Sequence, residues 1–341
     1  MKITAIIQAR SSSKRLPKKV LLPILKKPLI LHQVERVKRS KIIDEIIVAT
    51  SDDNSDDELF EILKISNIKT FRGSLENVLE RFYKCAKHYD SDVIVRLTGD
   101  CPLIDPALID EIIQFFFQNN FSYVSNSIDE KKLTVPDGFD IEVFSFSILE
   151  EAFLKARLFS EKEHVTPWMR SKNNKNKWVH YEHIKKRKYY RLTVDHLEDF
   201  LLIKSIIENF NKTKVDYSVD DIIEYCKANP ELSSSNISIK RNEGYQESII
   251  KDENFMNNKN LSGQELYKRA KKVIPGGNML LSKRPEMFVL NDWPCYFSKT
   301  LGCDVWDLEN NKFIDMCTMS VGTNILGYAN SEVDNAVKKV V

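Results

Sequence analysis

Short β-branched runs alternate with amphipathic stretches through the first half of the chain, and this alternation limits the folds open to it. Ile3–Gln8 is followed by Leu29–Arg39, Glu45–Ser51 by Asp56–Ile65, Ile68–Arg72 by Leu75–His88, and Asp92–Thr98 by Ala107–Gln118, with a further run at Phe121–Asn126. Strands separated by helices of this length read as crossover units feeding a mostly parallel sheet covered on both faces. An open sheet of this kind places ligands beyond the carboxyl ends of its strands. The later runs Phe139–Phe144, Trp178–Ile184 and Arg191–Val194 lack regular intervening helices and predict a partly antiparallel extension, suited to an acceptor-binding or dimer-forming arm. A homodimer is expected.

Composition excludes several classes. At 341 residues, with 42% hydrophobic and 29% charged side chains, the chain has material for two domains and a large core. Fifty-one Lys plus Arg oppose 49 Asp plus Glu, so no bulk field draws it to nucleic acid or anionic lipid, and neither partner is expected. The amino terminus has too short an apolar stretch for a signal peptide and no run approaches the length of a membrane span, which predicts a cytoplasmic protein without a membrane partner. The six cysteines form no CxxC pair and read as reduced packing residues.

From Glu231 to Asn260 the sequence turns polar and loses periodicity, the signature of a linker. Ser262-Gly-Gln-Glu265 then gives capping-box spacing ahead of a helix reaching Ile274, stopped by Pro275-Gly276-Gly277. A hairpin is predicted over Asp304–Asp315 around Asn310-Asn311, and a last helix capped by Ser331. The expected division is a domain over 1–251, a linker over 252–260 and a second unit over 261–341.

Chemistry concentrates after the first strand. Gln8 to Lys27 carries seven cations and no carboxylate, and a strand-end loop rich in Arg, Lys and Ser suits a triphosphate. It lacks the GxxxxGK[ST] spacing of a Walker loop. Arg96-Leu-Thr-Gly99-Asp100 puts a carboxylate at another strand end, where it would take one place on Mg²⁺. Asp195, in Arg191-Leu-Thr-Val-Asp195-His, stands at a third and reads either as a second ligand or as a helix cap. Pro136-Asp137-Gly138-Phe-Asp140-Ile-Glu142, with Asn126 upstream, is a polar cluster fit to read sugar hydroxyls or to form a turn and an edge strand. His164 reads as a structural hydrogen-bonder or a group touching the acceptor.

Seven ordered motifs carry a resemblance. They are the IIQAR…RLP.KVL..I stretch over Ile6–Ile24, FRGS (Phe71–Ser74), RLTGDCPLIDP (Arg96–Pro106), PDGFDIEVF (Pro136–Phe144), EHVTP (Glu163–Pro167), LTVD (Leu192–Asp195) and RNEGY (Arg241–Tyr245). Residues 1 to about 250 thereby resemble the spore-coat polysaccharide-type cytidylyltransferases, relatives of the CMP-3-deoxy-manno-octulosonate and CMP-acylneuraminate synthetases. The resemblance implies an α/β, Rossmann-like nucleotidyltransferase fold, CTP as nucleotide donor and Mg²⁺; it says less about the acceptor, for which an acidic sugar is the reading. It places Gln8, Ala9, Arg10, Arg15, Lys19, Arg72 and Gly99 around CTP, with Arg10, Arg15, Lys19 and Asp100 in the catalytic role. Asp100 and Asp195 become the Mg²⁺ ligands; beside the resemblance, the residues themselves offer Asn126, Asp137, Glu142 and His164 as acceptor contacts. Two departures stand out. Lys18 occupies a position where the family commonly has Gly, and His196 follows Asp195 where Thr-Pro is common.

Residues 261–341 resemble the opening of the glutamate-1-semialdehyde aminotransferase-like, class III pyridoxal phosphate proteins, through the segments beginning at Ser262, Val305 and Gly322. This implies a truncated fold-type I segment. Pyridoxal phosphate would enter only were that unit complete, and no aminotransferase activity is expected from this chain. The reading of function is CMP transfer from CTP to a 2-keto-3-deoxy type sugar for a surface glycan. The alternatives are a phosphorylated or phosphonate acceptor, within a fragment of a bifunctional cytidylyltransferase-aminotransferase, and a non-catalytic basic-patch binding protein.

Overall fold

The computed structural model describes residues 1–13, 15–171, 177–187, 190–213, 216–259, 262–278, 284–289, 293–316 and 326–340. The chain divides into two compact units, Met1–Ile249 and Ile250–Val341.

The first unit is built on a seven-stranded sheet. Its strands are β1 (Ile3–Gln8), β4 (Glu45–Ser51), β5 (Thr70–Gly73), β6 (Val93–Thr98), β7 (Tyr123–Ser125), β8 (Glu142–Ser145) and β9 (Trp178–His180), in the order β5-β4-β1-β6-β8-β7-β9. A small hairpin of β2 (Pro23–Ile24) and β3 (Lys27–Pro28) follows the basic loop. Strands β5, β4, β1 and β6 are parallel, β8 is antiparallel to both β6 and β7, and β9 is parallel to β7. β8 therefore runs alone against the rest, which makes the sheet mostly parallel with one reversed strand.

Alternation along the strands distributes the core between the two faces. Ile3, Ala5 and Ile7 of β1 join one apolar cluster with α1 (Leu29–Val37), α4 (Pro106–Gln118), α7 (Leu197–Thr213) and α8 (Val219–Ala228). Ile6 joins the other, with α3 (Val78–His88) and α5 (Phe146–Lys155). Local chemistry starts these helices where the sheet needs them. The Asn77 side chain accepts from Glu80 N to open α3, and Asp105 accepts from Ala107 N ahead of Pro106 to open α4. A further helix, α2 (Asp57–Ile65), follows β4.

The extension differs from expectation. Helices α5 and α6 (Phe159–His164) intervene between β8 and β9, where the sequence showed no regular helix. β9 stops at His180, and the Arg191–Val194 run forms no strand, only a parallel bridge from Asp137 to Arg191. The run's backbone bonds go to two separate segments, Leu192 N to Asp137 O at 2.7 Å and Val194 N to Asp100 O at 2.8 Å, and Asn236 Nδ2 donates to Arg191 O at 3.0 Å. Gly138 sits at φ 101°, and an added Cβ would lie 2.3 Å from Leu192 O, so the bridge closes only around a glycine.

The stretch read as a linker is helical in part. α9 (Pro230–Ser233) is short, and α10 covers Glu243–Lys259, so residues 252–259 continue a helix; Asn260 lies outside the described residues. Its weak apolar periodicity hid it, and its first half pairs Glu243 with Arg15 and Ser248 with Glu163 and His164.

In the second unit the Ser262–Glu265 capping box opens α11 (Gly263–Val273). β10 (Phe297–Leu301), β11 (Asp304–Asp307) and β12 (Lys312–Ile314) form an antiparallel sheet whose turn has Asn310 at φ 64°. α12 (Ser331–Lys338) is capped by Asn330, one residue before the expected Ser331, since the Asn330 side chain accepts from Glu332 N and Val333 N. The segment Gly322–Ile325, part of the second resemblance, lies outside the described residues. Cys85, Cys101, Cys226, Cys295 and Cys303 are free thiols, and Cys317 lies outside the described residues.

Candidate active site

The loop after β1 folds back on itself. Ser11 N donates to Asp56 Oδ1 at 2.6 Å and Lys18 N to Ser11 O at 2.9 Å, which pins both ends. Lys18 is left-handed at φ 56°, the conformation that the family's Gly would take without strain, and its ammonium reaches outward to Glu58 at 2.6 Å. The added charge therefore faces α2 instead of thickening the cationic cluster. Lys14 lies outside the described residues.

Lys19 stands at the centre. Its Nζ donates to Asp100 Oδ2 at 2.8 Å, Val194 O at 2.8 Å and Asp195 Oδ1 at 2.9 Å. Burial disfavours its charge, but Asp100 and Asp195 outweigh burial and hold the ammonium above the usual lysine range. Burial alone would also raise Asp100, yet Lys19 holds that carboxyl well below the usual range. Arg15 joins from the loop, with Nη2 on Asp195 Oδ1 at 2.8 Å and Nη1 on Glu243 Oε2 at 2.6 Å. Four segments remote in sequence, the Arg15–Lys19 loop, Asp100, Val194–Asp195 and Glu243, are thus joined.

Arg191 extends the cluster inward. Its guanidinium reaches Asp137 at 2.9 Å, Asp195 at 2.9 Å and the fully buried Asp199 at 3.1 Å. Asp199 Oδ2 accepts from the backbone of Asp195 and His196, each at 2.9 Å, so Asp199 serves the helix entry and leaves the Asp195 side chain to Lys19, Arg15 and Arg191. Arg241 reaches Asp140 at 2.5 Å and Asp137 at 3.4 Å. Burial and the neighbouring Asp140 push the Asp137 carboxyl up, against the pull of Arg241 and Arg191.

A second line of polar contacts crosses the α3 face of the sheet. Arg96 donates through Nε and Nη2 to Gln8 Oε1, at 3.1 and 2.9 Å, and pairs through Nη1 with Glu142. Glu142 Oε1 also accepts from Tyr123 OH and Thr166 Oγ1, each at 2.6 Å. Burial opposes the Glu142 charge, but Arg96 and the two hydroxyls hold its carboxyl below the usual range. Val165, buried at φ 69°, makes the tight turn that sends Thr166 to Glu142 and His164 elsewhere. His164 Nε2 lies 3.1 Å from Ser248 Oγ, with its ring edge-on to Tyr245 at 5.1 Å. Burial lowers the imidazole to about 4 despite Glu163.

Several expected contacts have other partners. Asn126 was expected to read sugar hydroxyls, but it is fully buried, donating to Phe139 O at 2.8 Å and accepting from Ile141 N at 2.9 Å, and so braces the loop instead. Glu142 and Asp137 are likewise taken up by protein cations. Arg72 caps the end of β4 through Ser51 O and Asp53 O, and pairs with Asp57 at 2.7 Å. Gly99 N donates to Gln8 O at 2.8 Å, and a Cβ there would come within 3.0 Å of Ala9 Cβ and Gln8 O. Arg10 is left partly exposed, 3.7 Å from Glu163. Sequence reasoning missed the bracing roles of Asp56, Asp199 and Arg191. The only local sign was the three-residue spacing of Asp199 from His196, typical of a residue closing back on a helix start.

Among the described residues no group of three or more His, Cys, Asp or Glu side chains is placed to hold a metal. Asp100 and Asp195 do present two carboxylates to one cation, a hard-oxygen pair that fits a divalent ion sharing its remaining places with phosphate and water. Among the described residues no helix is long and apolar enough to cross a membrane.

A mostly parallel sheet with a basic loop and paired carboxylates at its strand ends defines an α/β nucleotide-handling protein. A family model described as cytidylyltransferase matches residues 4–222, and the chain belongs to that family. It is similar to the spore coat polysaccharide biosynthesis protein SpsF of Bacillus subtilis (strain 168), 34% identical over 241 residues that cover 68% of this chain and 97% of that protein. A 3-deoxy-manno-octulosonate cytidylyltransferase of Geobacter metallireducens is 39% identical over 115 residues, 33% of this chain and 44% of that one. A solved cytidylyltransferase from Leptospira borgpetersenii serovar Hardjo-bovis superposes with TM-score 0.65 at 36% identity, covering 71% of this chain and all of that one (100%). The protein is a nucleotidyltransferase enzyme.

Proposed function

We propose that the enzyme transfers CMP from CTP to an acidic sugar of the 2-keto-3-deoxy type, releasing pyrophosphate, for assembly of a surface polysaccharide. The observation that carries this reading is the Lys19 ammonium between Asp100 and Asp195, beside a loop that also brings Arg15 to Asp195. The sugar hydroxyl attacks the α-phosphorus, a new P–O bond forms, and the bond to the leaving pyrophosphate breaks. Such transfer depends on positioning and charge neutralisation more than on covalent catalysis. Arg10, Arg15 and Lys19 provide cations for the triphosphate; Arg10 is partly exposed beside Glu163, and Lys19 is held by three oxygens that fix its direction. Asp100 and Asp195 would hold Mg²⁺, which when bound neutralises and orients phosphate oxygens. His164, neutral and hydrogen-bonded to Ser248, serves the acceptor side as a hydrogen-bonding group, while Asp137 and Glu142 hold Arg191, Arg241 and Arg96 in place.

The test is pyrophosphate release from CTP over a panel of keto-deoxy sugar acids and sugar phosphates. Release with a sugar acid is expected; better turnover with ATP or GTP, or release only with phosphorylated acceptors, would overturn the assignment. For residues 261–341 we carry the aminotransferase-like likeness as a proposal, supported by the capped α11 and the antiparallel β10–β12 sheet. A homodimer also stands as a proposal, to be read from the mass in solution.

A further inference from the structure

Gln8 ends β1 on the same face as Ile6, and Arg96 lies on the neighbouring β6, paired in register with Ile6. Two N–H groups of Arg96 converge on Gln8 Oε1. A guanidinium has donors only, so the Gln8 amide cannot turn its nitrogen toward Arg96; its oxygen must face inward and its NH₂ outward. Nε2 has no hydrogen-bond partner among the described residues and is not one of the fully buried unpaired atoms, so it is left accessible on a half-buried side chain. Arg96 is in turn immobilised, by Glu142 on its Nη1 and by the Phe82 ring at 5.8 Å. Glu142 is held by Tyr123 and Thr166. The strand end that carries this amide also takes the Gly99 N–H on Gln8 O, one residue before Asp100. A fixed donor pair therefore stands on the strand end whose backbone is bonded to the residue before Asp100.

We propose that Arg96 is a positioning residue that makes Gln8 a donor-only reader of the pyrimidine, so that the site selects cytosine over uracil. This rests on the reading of CTP as substrate and deepens it. Cytosine presents acceptors at both N3 and O2, whereas uracil carries a hydrogen on N3. An outward NH₂ complements the first edge and meets an N–H on the second. A glutamine free to flip would serve either base, so the discrimination resides in the Glu142–Arg96 clamp as much as in Gln8. Losing a hydrogen bond that a site is built to make is what separates such near-isosteric ligands.

The experiment is calorimetric titration of the full chain with CTP and with UTP in Mg²⁺, which needs no acceptor. Gln8→Glu keeps an oxygen for Arg96 but turns the outward atom into an acceptor, and the CTP-to-UTP affinity ratio is expected to fall about tenfold. Arg96→Lys keeps a charge against Glu142 but loses the fork, and should lower the ratio with Gln8 intact. Melting curves identify loss of fold; if Arg96→Lys does not fold, Gln8→Glu decides alone. A wild type that prefers CTP, with a folded Gln8→Glu of unchanged ratio, overturns this inference and leaves the proposed function standing. An Arg96→Lys variant that melts earlier with its ratio preserved overturns the positioning role. A wild type that shows no preference for CTP overturns both.

Discussion

Lys19 Nζ lies 2.8 Å from Asp100 Oδ2, joining the loop after β1 to the loop after β6. A buried ammonium of this kind is neutralised only while its carboxylates stay charged, so Asp100 serves the resting fold as well as any bound cation. Asp100→Asn and Asp195→Asn are each expected to lower turnover by orders of magnitude, since charge stabilisation around a transferring phosphoryl group is worth several kcal/mol. Steady-state rates over a Mg²⁺ series check this. Full activity at saturating Mg²⁺ in either variant would reduce that residue to an anchor for Lys19.

Lys18 offers a stability test away from the chemistry. Its left-handed backbone costs about 1 kcal/mol for a side chain with a Cβ, while its exposed pair with Glu58 returns little. Lys18→Gly should therefore raise the melting temperature by a few degrees. A lower one would mean that the ion pair or the unfolded-state entropy of glycine outweighs the backbone strain.

His164 gives a pH signature. Its native value of about 4 lies below the 6.5 of a free histidine, so between these the unfolded chain binds a proton that the folded chain does not. Stability then falls as pH drops from 6.5 toward 4, by up to about 3 kcal/mol from this group. His164→Gln should flatten that slope in denaturant titrations across this window. In the same enzyme the pH–rate profile should show no ionisation from His164 between pH 6 and 8, and one abolished by His164→Gln would refute the assignment.

The two units should be separable. Glu243, which pairs with Arg15, and Ser248, which reaches Glu163 and His164, both precede Lys251. A chain truncated after Lys251 should keep CTP turnover, and one ending at Lys259, where α10 stops, should be the more stable. The remainder should show no aminotransferase activity with added pyridoxal phosphate. An inactive first unit that still melts cooperatively would show that residues beyond 251 complete the site.

By itself the sequence determined the parallel α/β plan, because period-two and period-3.6 hydrophobicity are local properties that each segment carries alone. The capping box at Ser262 and the turn at Asn310-Asn311 were legible for the same reason. The strand-end motifs also announced which residue types the site would use. Partnership was another matter. Nothing near Arg191 shows that it will bind Asp137, Asp195 and Asp199 together, nor near Asn126 that its amide will be spent on Phe139 and Ile141. Such pairings join residues from four to 54 positions apart and depend on where burial removes water, not on sequence separation. A buried polar group must find a partner in whatever the fold brings near it, so only the tertiary structure decided which side chains face a ligand and which hold the walls.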